Sequence, residues 1–128
     1  MCSSDLARRI GGRIHDVDVV YASANATRGL DAVEAHALAA LFGGRGTVVT
    51  SVKGALGEFG ASGSAACAAA FLCGRARRVP PIAGLESPDA ATTSLRLART
   101  PVDAPGPIVL VNSFASGGAL FSAVLHVS

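Results

Sequence analysis

The sequence IVLVNSFASGGALFSAVLHV, residues 108–127, carries the clearest structural signal in this chain. Two runs rich in Val, Leu and Phe flank a central NSFASGG segment of small and polar residues. Apolar runs on either side of a glycine-containing turn are typical of a β-hairpin. We therefore predict strands at Ile108–Asn112 and Leu120–Val127, with the second antiparallel to the first. Gly117 and Gly118 are expected to adopt positive φ in the turn.

Upstream of this hairpin, helical and extended patterns alternate along the chain. The β-branched residues of Val17–Tyr21 and Thr47–Ser51 predict two further strands, and Leu95 and Leu97 predict a minor one. Between the first two strands, Asp31–Phe42 has apolar residues at helical spacing and is followed by two glycines. This pattern predicts a helix that ends at the glycines.

Two less regular segments complete the predicted order of elements. Residues Leu6–Ile14 are weakly helical, and Ser64–Cys73 is an Ala-rich run that is apolar on all sides. We expect the second segment to be a helix that is buried all round and that follows a glycine-rich turn at Gly54–Gly63. The order α-β-α-β-α-β-β predicts an α/β fold with a mostly parallel sheet, helical crossovers and an antiparallel C-terminal strand.

The composition restricts the class of protein. The 128 residues are enough for one domain, and a chain with 50% apolar and 16% charged residues will collapse instead of staying disordered. A net charge of +2, spread along the chain, is too weak for a nucleic-acid-binding surface. The longest apolar run, Ala65–Cys73, is far shorter than the ~20 residues that a membrane span needs. We expect no nucleic acid and no membrane as a partner.

The cysteines and histidines give little sign of a metal or redox site. Cys2, Cys67 and Cys73 form no CxxC pair and no even disulfide framework, which fits a reducing cytoplasm. The histidines lack the spacing of metal ligands, and the Gly57–Gly63 turn contains no GKS or GKT phosphate-binding sequence. We therefore expect no metal, no cofactor and a cytoplasmic location.

Four segments resemble motifs of the β-ketoacyl-ACP synthases, a family of the thiolase-like superfamily. VPPIAGLESPD at 79–89 resembles their VPPTxxLExPDP segment, and NSFASGG at 112–118 resembles their NSFGFGG turn. DAVE at 31–34 resembles the DxxE after the first histidine motif, and TSVK at 50–53, followed by Gly57, resembles STKxxxGH. Because the four motifs occur in the family's order, the resemblance implies the C-terminal half of a thiolase-like fold.

The resemblance also implies which residues occupy the family's catalytic positions. VYASANAT at 20–27, aligned on VNAHGTST, places Ser23 at the first histidine, and the Lys53 motif places Glu58 at the second. A hydroxyl donates less effectively than an imidazole, and a carboxylate repels a developing enolate. Lys53 and Glu34 match a lysine and a glutamate of the family, and they either orient a pocket or form an ion pair that only supports the loop. We expect all four positions to be degenerate as a condensing site.

The NSFASGG turn is the expected wall of a substrate channel. The resemblance implies channel roles for Phe114, Ser116, Gly117 and Gly118, and Ser116 stands where the family has a gatekeeping Phe. We expect the gating of the acyl chain to be altered for this reason.

The resemblance covers only part of the family's C-terminal half. The family's nucleophilic Cys lies in the first half, and Cys67 and Cys73 fall within an apolar segment where a thiol is not activated. We expect residues 1–128 to form a partial ketosynthase C-terminal domain whose first central strand is missing. The strands at Val17–Tyr21 and Ile108–Asn112 must then pair directly, borrow a strand from a partner, or fail to fold cooperatively.

These features favour one function and leave two alternatives open. The leading hypothesis is a non-condensing partner subunit, similar to chain-length-factor or initiation subunits, that shapes an acyl channel in fatty-acid or polyketide biosynthesis. Its partners would be an acyl carrier protein and either a ketosynthase subunit or the missing N-terminal half. The first alternative is a divergent acyltransferase of this family whose Cys lies in that missing half and in which Glu58 transfers protons. The second is a gene fragment with no function of its own.

Overall fold

Short runs of valine form the centre of a five-stranded sheet. The computed structural model of the chain describes residues 13–115 and 117–127. The strands are Val19–Tyr21 (β1), Val48–Thr50 (β2), Arg78–Val79 (β3), Arg96–Leu97 (β4), Val102–Asp103 (β5), Ile108–Phe114 (β6) and Leu120–His126 (β7). The helices are Arg28–Phe42 (α1), Lys53–Leu56 (α2) and Ser62–Arg75 (α3), with 3₁₀ turns at Ile14–Asp16 and Ala90–Thr92.

The sheet confirms the predicted directions of its strands. Its strand order is β4-β2-β1-β6-β7, and β3 and β5 form a separate antiparallel pair. The contacts from β4 through β6 are parallel, whereas β7 runs antiparallel to β6 from Ile108 opposite His126 to Phe114 opposite Leu120. The mostly parallel sheet, the C-terminal hairpin and the minor strand near Leu97 are therefore present as expected.

The expectation of a missing central strand is wrong. Strand β1 pairs on both sides, with Val20 opposite Val49 of β2 and opposite Leu110 of β6. If only the strands of this sheet are counted along the chain, β1 is the first strand and also the central one, so the first central strand is present. All three residues of β1 are buried, as is required of a strand between two parallel neighbours. This strand can therefore occupy the central position itself. Direct pairing of β1 with β6 leaves no gap of unpaired backbone groups.

The helices cover opposite faces of the sheet because strand side chains alternate in direction. On one face, α3 packs its small residues Ala66 and Ala70, and on the other face α1 packs Leu38 and Phe42. The α3 side contains Val19, Tyr21, Val48, Val109 and Val111, and the α1 side contains Val20, Val49 and Leu110.

Helix α3 is buried on one face only, which corrects the expectation of a helix buried all round. Ser62, Ala66 and Ala70 are its buried residues, at a spacing of four. Phe71 and Leu72 are 49% and 66% exposed. The small buried residues let the helix lie close to the sheet. Among the described residues, no other helix or strand covers its outer face, where Arg75 of the same helix stands over the Phe71 ring. A run that is apolar all round thus leaves large side chains in solvent.

The ends of the helices differ modestly from the predicted ones. Helix α1 begins at Arg28, three residues before the predicted start, because the Asp31 carboxylate accepts hydrogen bonds from the N–H groups of Asn25 and Ala26 and shapes the preceding loop. Most of the weakly helical segment Leu6–Ile14 lies outside the described residues. In the described ranges, no helix is both long and apolar enough to cross a membrane.

Candidate functional site

Polar side chains collect at the carboxyl ends of three neighbouring parallel strands. Ser23 follows β1, Lys53 begins α2 three positions after the end of β2, and Asn112 lies in the second half of β6. All three residues are buried. Ligand sites of parallel sheets form at this edge, so this cluster is the candidate site.

Ser23 joins the parts of the cluster. Its backbone N–H donates to Glu34 Oε1 at 2.9 Å. Its hydroxyl oxygen accepts from Lys53 Nζ at 3.1 Å and from the Phe114 N–H at 2.9 Å. Both acceptor positions of the hydroxyl are therefore occupied, and the side chain links β1 to α2 and β6.

Lys53 forms an ion pair with Glu58. Its Nζ lies 2.6 Å from Glu58 Oε2, and 5% of the lysine side chain and 45% of the glutamate side chain are exposed. Glu58 also accepts from Asn25 Nδ2 at 3.2 Å and from the Ser62 hydroxyl at 2.9 Å. The hydrogen bond from Lys53, with those from Ser62 and Asn25, holds the pKa of the Glu58 carboxyl below its usual range. Glu58 is therefore an anion at neutral pH.

Glu34 is buried on α1 and takes other partners. Its Oε1 accepts from the Ser23 N–H and from Asn112 Nδ2, the latter at 3.2 Å. Burial raises the pKa of the Glu34 carboxyl, although these two hydrogen bonds act in the opposite direction. The ion pair considered between Lys53 and Glu34 is not found among the described residues, because Glu58 holds the ammonium group. Ser23 connects the two side chains instead.

The structure thus brings together Ser23, Lys53, Glu34 and Glu58, and it adds three residues without a predicted role. These are Asn25, Ser62 and Asn112. Asn112 had a usable signal, since a polar residue interrupts an otherwise apolar strand there. Ser62 had no such signal in the sequence, because its hydroxyl comes close to Glu58 only as a result of how the intervening loop folds.

A cleft of about 560 Å³ opens beside the cluster, between α1, the sheet and the loop that follows β3. Leu38, Val49 and Leu97 contribute apolar wall, and Lys53 and Glu58 lie at its polar end. An apolar space with a few polar groups is the usual form of a small-molecule site.

The NSFASGG turn lies near the cluster but outside this cleft. Gly117 and Gly118 have φ values of 88° and 84°, as predicted for the turn. Phe114 touches the cluster through its backbone N–H, and none of these three residues lines the cleft. Ser116 lies outside the described residues. The channel roles of all four residues stay predictions.

The cluster is poorly equipped for nucleophilic or metal chemistry. Ser23, Lys53, Glu34 and Glu58 provide no imidazole and no thiol. Burial raises the pKa of the Cys67 thiol on α3, which is the opposite of activation. In the parts of the chain that the structure covers, no group of three or more His, Cys, Asp and Glu residues could hold a metal ion.

Comparison with known proteins identifies the family by sequence. Residues 2–86 match the family model described as "Beta-ketoacyl synthase, C-terminal domain". Over 74 residues, the chain is 45% identical to the tetracenomycin polyketide synthase ketoacyl synthase beta subunit of Streptomyces glaucescens. That match covers 57% of this chain and 18% of the relative.

Solved ketosynthase structures share the fold. A β-ketoacyl synthase from Burkholderia phymatum STM815 matches with a TM-score of 0.87 at 22% identity, over 95% of this chain and 30% of the other. The ishigamide ketosynthase/chain length factor matches with a TM-score of 0.83 at 22% identity, over 95% and 30%. The chain spans less than a third of the length of each of these proteins, and at such identities the structural likeness establishes the fold alone. Since the sequence model covers well over half of the chain, this protein belongs to the β-ketoacyl synthase family and has the thiolase-like fold of its C-terminal domain.

Proposed function

We propose that this chain is part of a non-condensing β-ketoacyl synthase-like subunit, which shapes an acyl channel for a condensing partner in polyketide or fatty-acid biosynthesis. The observation that carries the proposal is the state of the two positions aligned with the family's histidines. Ser23 accepts two hydrogen bonds there, and Glu58 is ion-paired with Lys53. The site is held together by its own residues and offers no imidazole to a substrate.

This arrangement disfavours decarboxylative condensation on electrostatic grounds. Condensation develops negative charge on a thioester oxygen, and catalysis requires donors aimed at that charge. A Glu58 anion close to the thioester oxygen would raise the energy of the enolate. Lys53 offsets that anion, so its positive charge is no longer available to the substrate.

The proton-transfer alternative is weakened by the same ion pair. A general base works best when its pKa lies near the working pH. The hydrogen bond from Lys53 holds the pKa of Glu58 below its usual range, which makes Glu58 a poor base. No observation in the structure favours the acyltransferase alternative over the non-condensing subunit.

The names of two relatives support the biosynthetic setting. One is called a ketoacyl synthase beta subunit of a polyketide synthase, and another a ketosynthase/chain length factor. By analogy, this chain would work beside a ketosynthase subunit or with an N-terminal half, as a partial domain, and would meet an acyl carrier protein.

The exposed outer face of α3 supports the need for such a partner. Phe71 and Leu72 are exposed there, and Leu56 and Phe59 are exposed on the segment that precedes the helix. Large apolar side chains that stay in solvent are a common mark of an interaction surface.

Condensation assays with acyl-ACP and malonyl-ACP test the proposal. The chain alone is expected to release no CO₂ and to form no β-ketoacyl product. Added to a ketosynthase subunit that needs a partner, it should change the length of the product. Product formation by the chain alone would contradict the proposal.

A substitution in the cleft sharpens this test. Ala32→Phe places a large side chain on the cleft wall and should shorten the product, whereas Ala37→Phe, on the exposed side of the same helix, should not. Equal product lengths for the two variants would show that this cleft is not the acyl channel.

A further inference from the structure

We propose that Lys53, Asn25 and Ser62 form a binding site for a small carboxylate, and that the chain's own Glu58 fills this site. The inference concerns ligand binding and does not depend on the proposed function. Glu58 then acts as a ligand that is tethered to the chain, and it keeps free anions away from Lys53 at the polar end of the cleft.

The hydrogen bonds around Glu58 are those of a bound carboxylate. Lys53 Nζ and Asn25 Nδ2 donate to Oε2 at 2.6 and 3.2 Å, and the Ser62 hydroxyl donates to Oε1 at 2.9 Å. Both oxygens therefore have donors, and one of the donors is an ammonium group. Charge-assisted contacts of this kind are the strong ones in carboxylate recognition.

The donors are held in place by contacts other than Glu58. The Lys53 side chain is 5% exposed and also donates to Ser23 Oγ. Ser62 is buried at the start of α3. The Asn25 side-chain oxygen accepts from the Thr27 N–H at 3.1 Å, which fixes the direction of its amide N–H₂ group. The site should therefore keep its form when the glutamate side chain is removed.

Glu58 reaches the site from outside the packed core. Helix α2 ends at Leu56, and Gly57 has a φ of 83°, which turns the chain so that Glu58 approaches from solvent. Its side chain is 45% exposed, in contrast to the buried donors Lys53 and Ser62. Replacing this side chain empties the anion position without removing a core residue.

The consequence for ligands is selection by charge. With Glu58 in place, the ammonium group at the end of the cleft is already neutralised, and a second carboxylate would meet the first. A small carboxylate is then kept out of the position beside Lys53, whereas an uncharged ligand is not repelled there. Repulsion of this kind is a common source of specificity.

Thermal unfolding of the Glu58→Ala chain in sodium formate tests the proposal. We expect this variant to melt about 5 °C below the unsubstituted chain, because Lys53 loses its counter-ion. Formate should raise its Tm in a saturable manner, as binding to the folded state alone requires. Sodium chloride at the same ionic strength should not reproduce the effect, and formate should leave the Tm of the unsubstituted chain unchanged.

Two further variants identify the site. Glu58→Gln fills the position with an uncharged side chain and should not respond to formate. Lys53→Met in the Glu58→Ala background removes the ammonium group and should abolish the response. Glu86→Ala removes an exposed carboxylate elsewhere and serves as the matched control.

Lysine NMR gives a second, direct readout. Lys53 is the only lysine in the chain, so protein labelled with ¹⁵N-lysine has a single ammonium signal. In Glu58→Ala this signal should shift with formate concentration along the same curve as the Tm.

The outcomes decide the matter. If Glu58→Ala does not fold in buffer, refolding by formate but not by chloride supports the site, and Glu58→Ser repeats the test with a hydroxymethyl group in place of the methyl group. An equal response to formate and chloride, a response that survives Lys53→Met, or no refolding by formate would overturn the proposal.

Discussion

Glu34 and Asn112, 78 positions apart in the chain, are joined by a buried hydrogen bond of 3.2 Å from Asn112 Nδ2 to Glu34 Oε1. The Asn112 oxygen in turn accepts from the Ser122 hydroxyl at 2.9 Å. One amide therefore connects α1, β6 and β7. A buried carboxylate has lost its hydrating water. If such a donor is removed, no hydrogen bond compensates for that loss, and the folded state is destabilised.

The first prediction concerns this amide. Asn112→Ala should lower the free energy of unfolding by about 2–3 kcal/mol, because Glu34 and Ser122 both lose their partner. Ser122→Ala, which removes only the outer hydrogen bond, should cost about 1 kcal/mol. Urea unfolding at neutral pH measures both values. Equal losses in the two variants would show that the contact with Glu34 contributes nothing.

The second prediction concerns Glu58 and acid. Lys53 lowers the pKa of this carboxyl in the folded state, so the unfolded state binds its proton more readily. Its contribution to stability is complete above the pKa of an unfolded glutamate, about 4.3, and is lost as the pH falls through the lower folded pKa. Glu58→Gln should therefore remove part of the acid-side decline in urea midpoint. Parallel midpoint-against-pH curves for the two chains would contradict this.

The third prediction concerns Glu34, for which the sign is reversed. Burial raises the pKa of this carboxyl, so the folded state holds the proton more tightly than the unfolded state. Its contribution is complete below about 4.3 and is lost as the pH rises through the higher folded pKa. Glu34→Gln keeps the accepting oxygen and should gain stability relative to the unsubstituted chain as the pH rises over that interval. A difference that does not change with pH would rule out the raised pKa.

The fourth prediction compares two glycines. A Cβ added at Gly54 would overlap the backbone oxygen of Ala83, whereas one added at Gly29 has open space around it. Gly54→Ala should lower the free energy of unfolding by about 2 kcal/mol or more, because backbone cannot move aside as a side chain can. Gly29→Ala, in helix α1, should raise it by about 0.5 kcal/mol. A neutral Gly54→Ala would mean that α2 and the loop at Ala83 are not in contact.

The fifth prediction concerns the outer face of α3. We expect the isolated chain to self-associate through the exposed apolar side chains of this face. Phe71→Ser with Leu72→Ser should reduce this association in sedimentation experiments and leave the Tm nearly unchanged, because both side chains are exposed. Ala70→Ser, on the buried face, should lower the Tm because it places a hydroxyl in the core. If the double variant associates as strongly as the unsubstituted chain, the chain associates through another surface.

The sequence was a good guide where one pattern allowed one arrangement. The valines of β1 and β2 could only be buried strands, and the turn at Gly117 and Gly118 could only join two antiparallel ones. Ser23, Lys53 and Glu58 could be placed together because the resemblance to the family's motifs assigns them to its catalytic positions. The resemblance therefore located the site without any knowledge of its contacts.

The sequence was a poor guide where several arrangements satisfied the same pattern. In the Ala-rich helix α3, every position is compatible with burial, so its periodicity cannot reveal that Phe71 and Leu72 point outward. The partner of Lys53 depended on which of two carboxylates came within 4 Å, a matter of loop path that spacing does not encode. The place of β1 at the centre depended on pairing with β6, about 90 residues later along the chain.

The burial of Lys53 has a practical consequence for following the folding of this protein. All other basic side chains with full charge are arginines, so Lys53 carries the only side-chain primary amine. With 5% of that side chain accessible, an acylating reagent meets it mainly when the chain has opened. The rate at which Lys53 is acylated, read by mass spectrometry of the peptide that contains it, therefore reports how often the native fold opens around this residue.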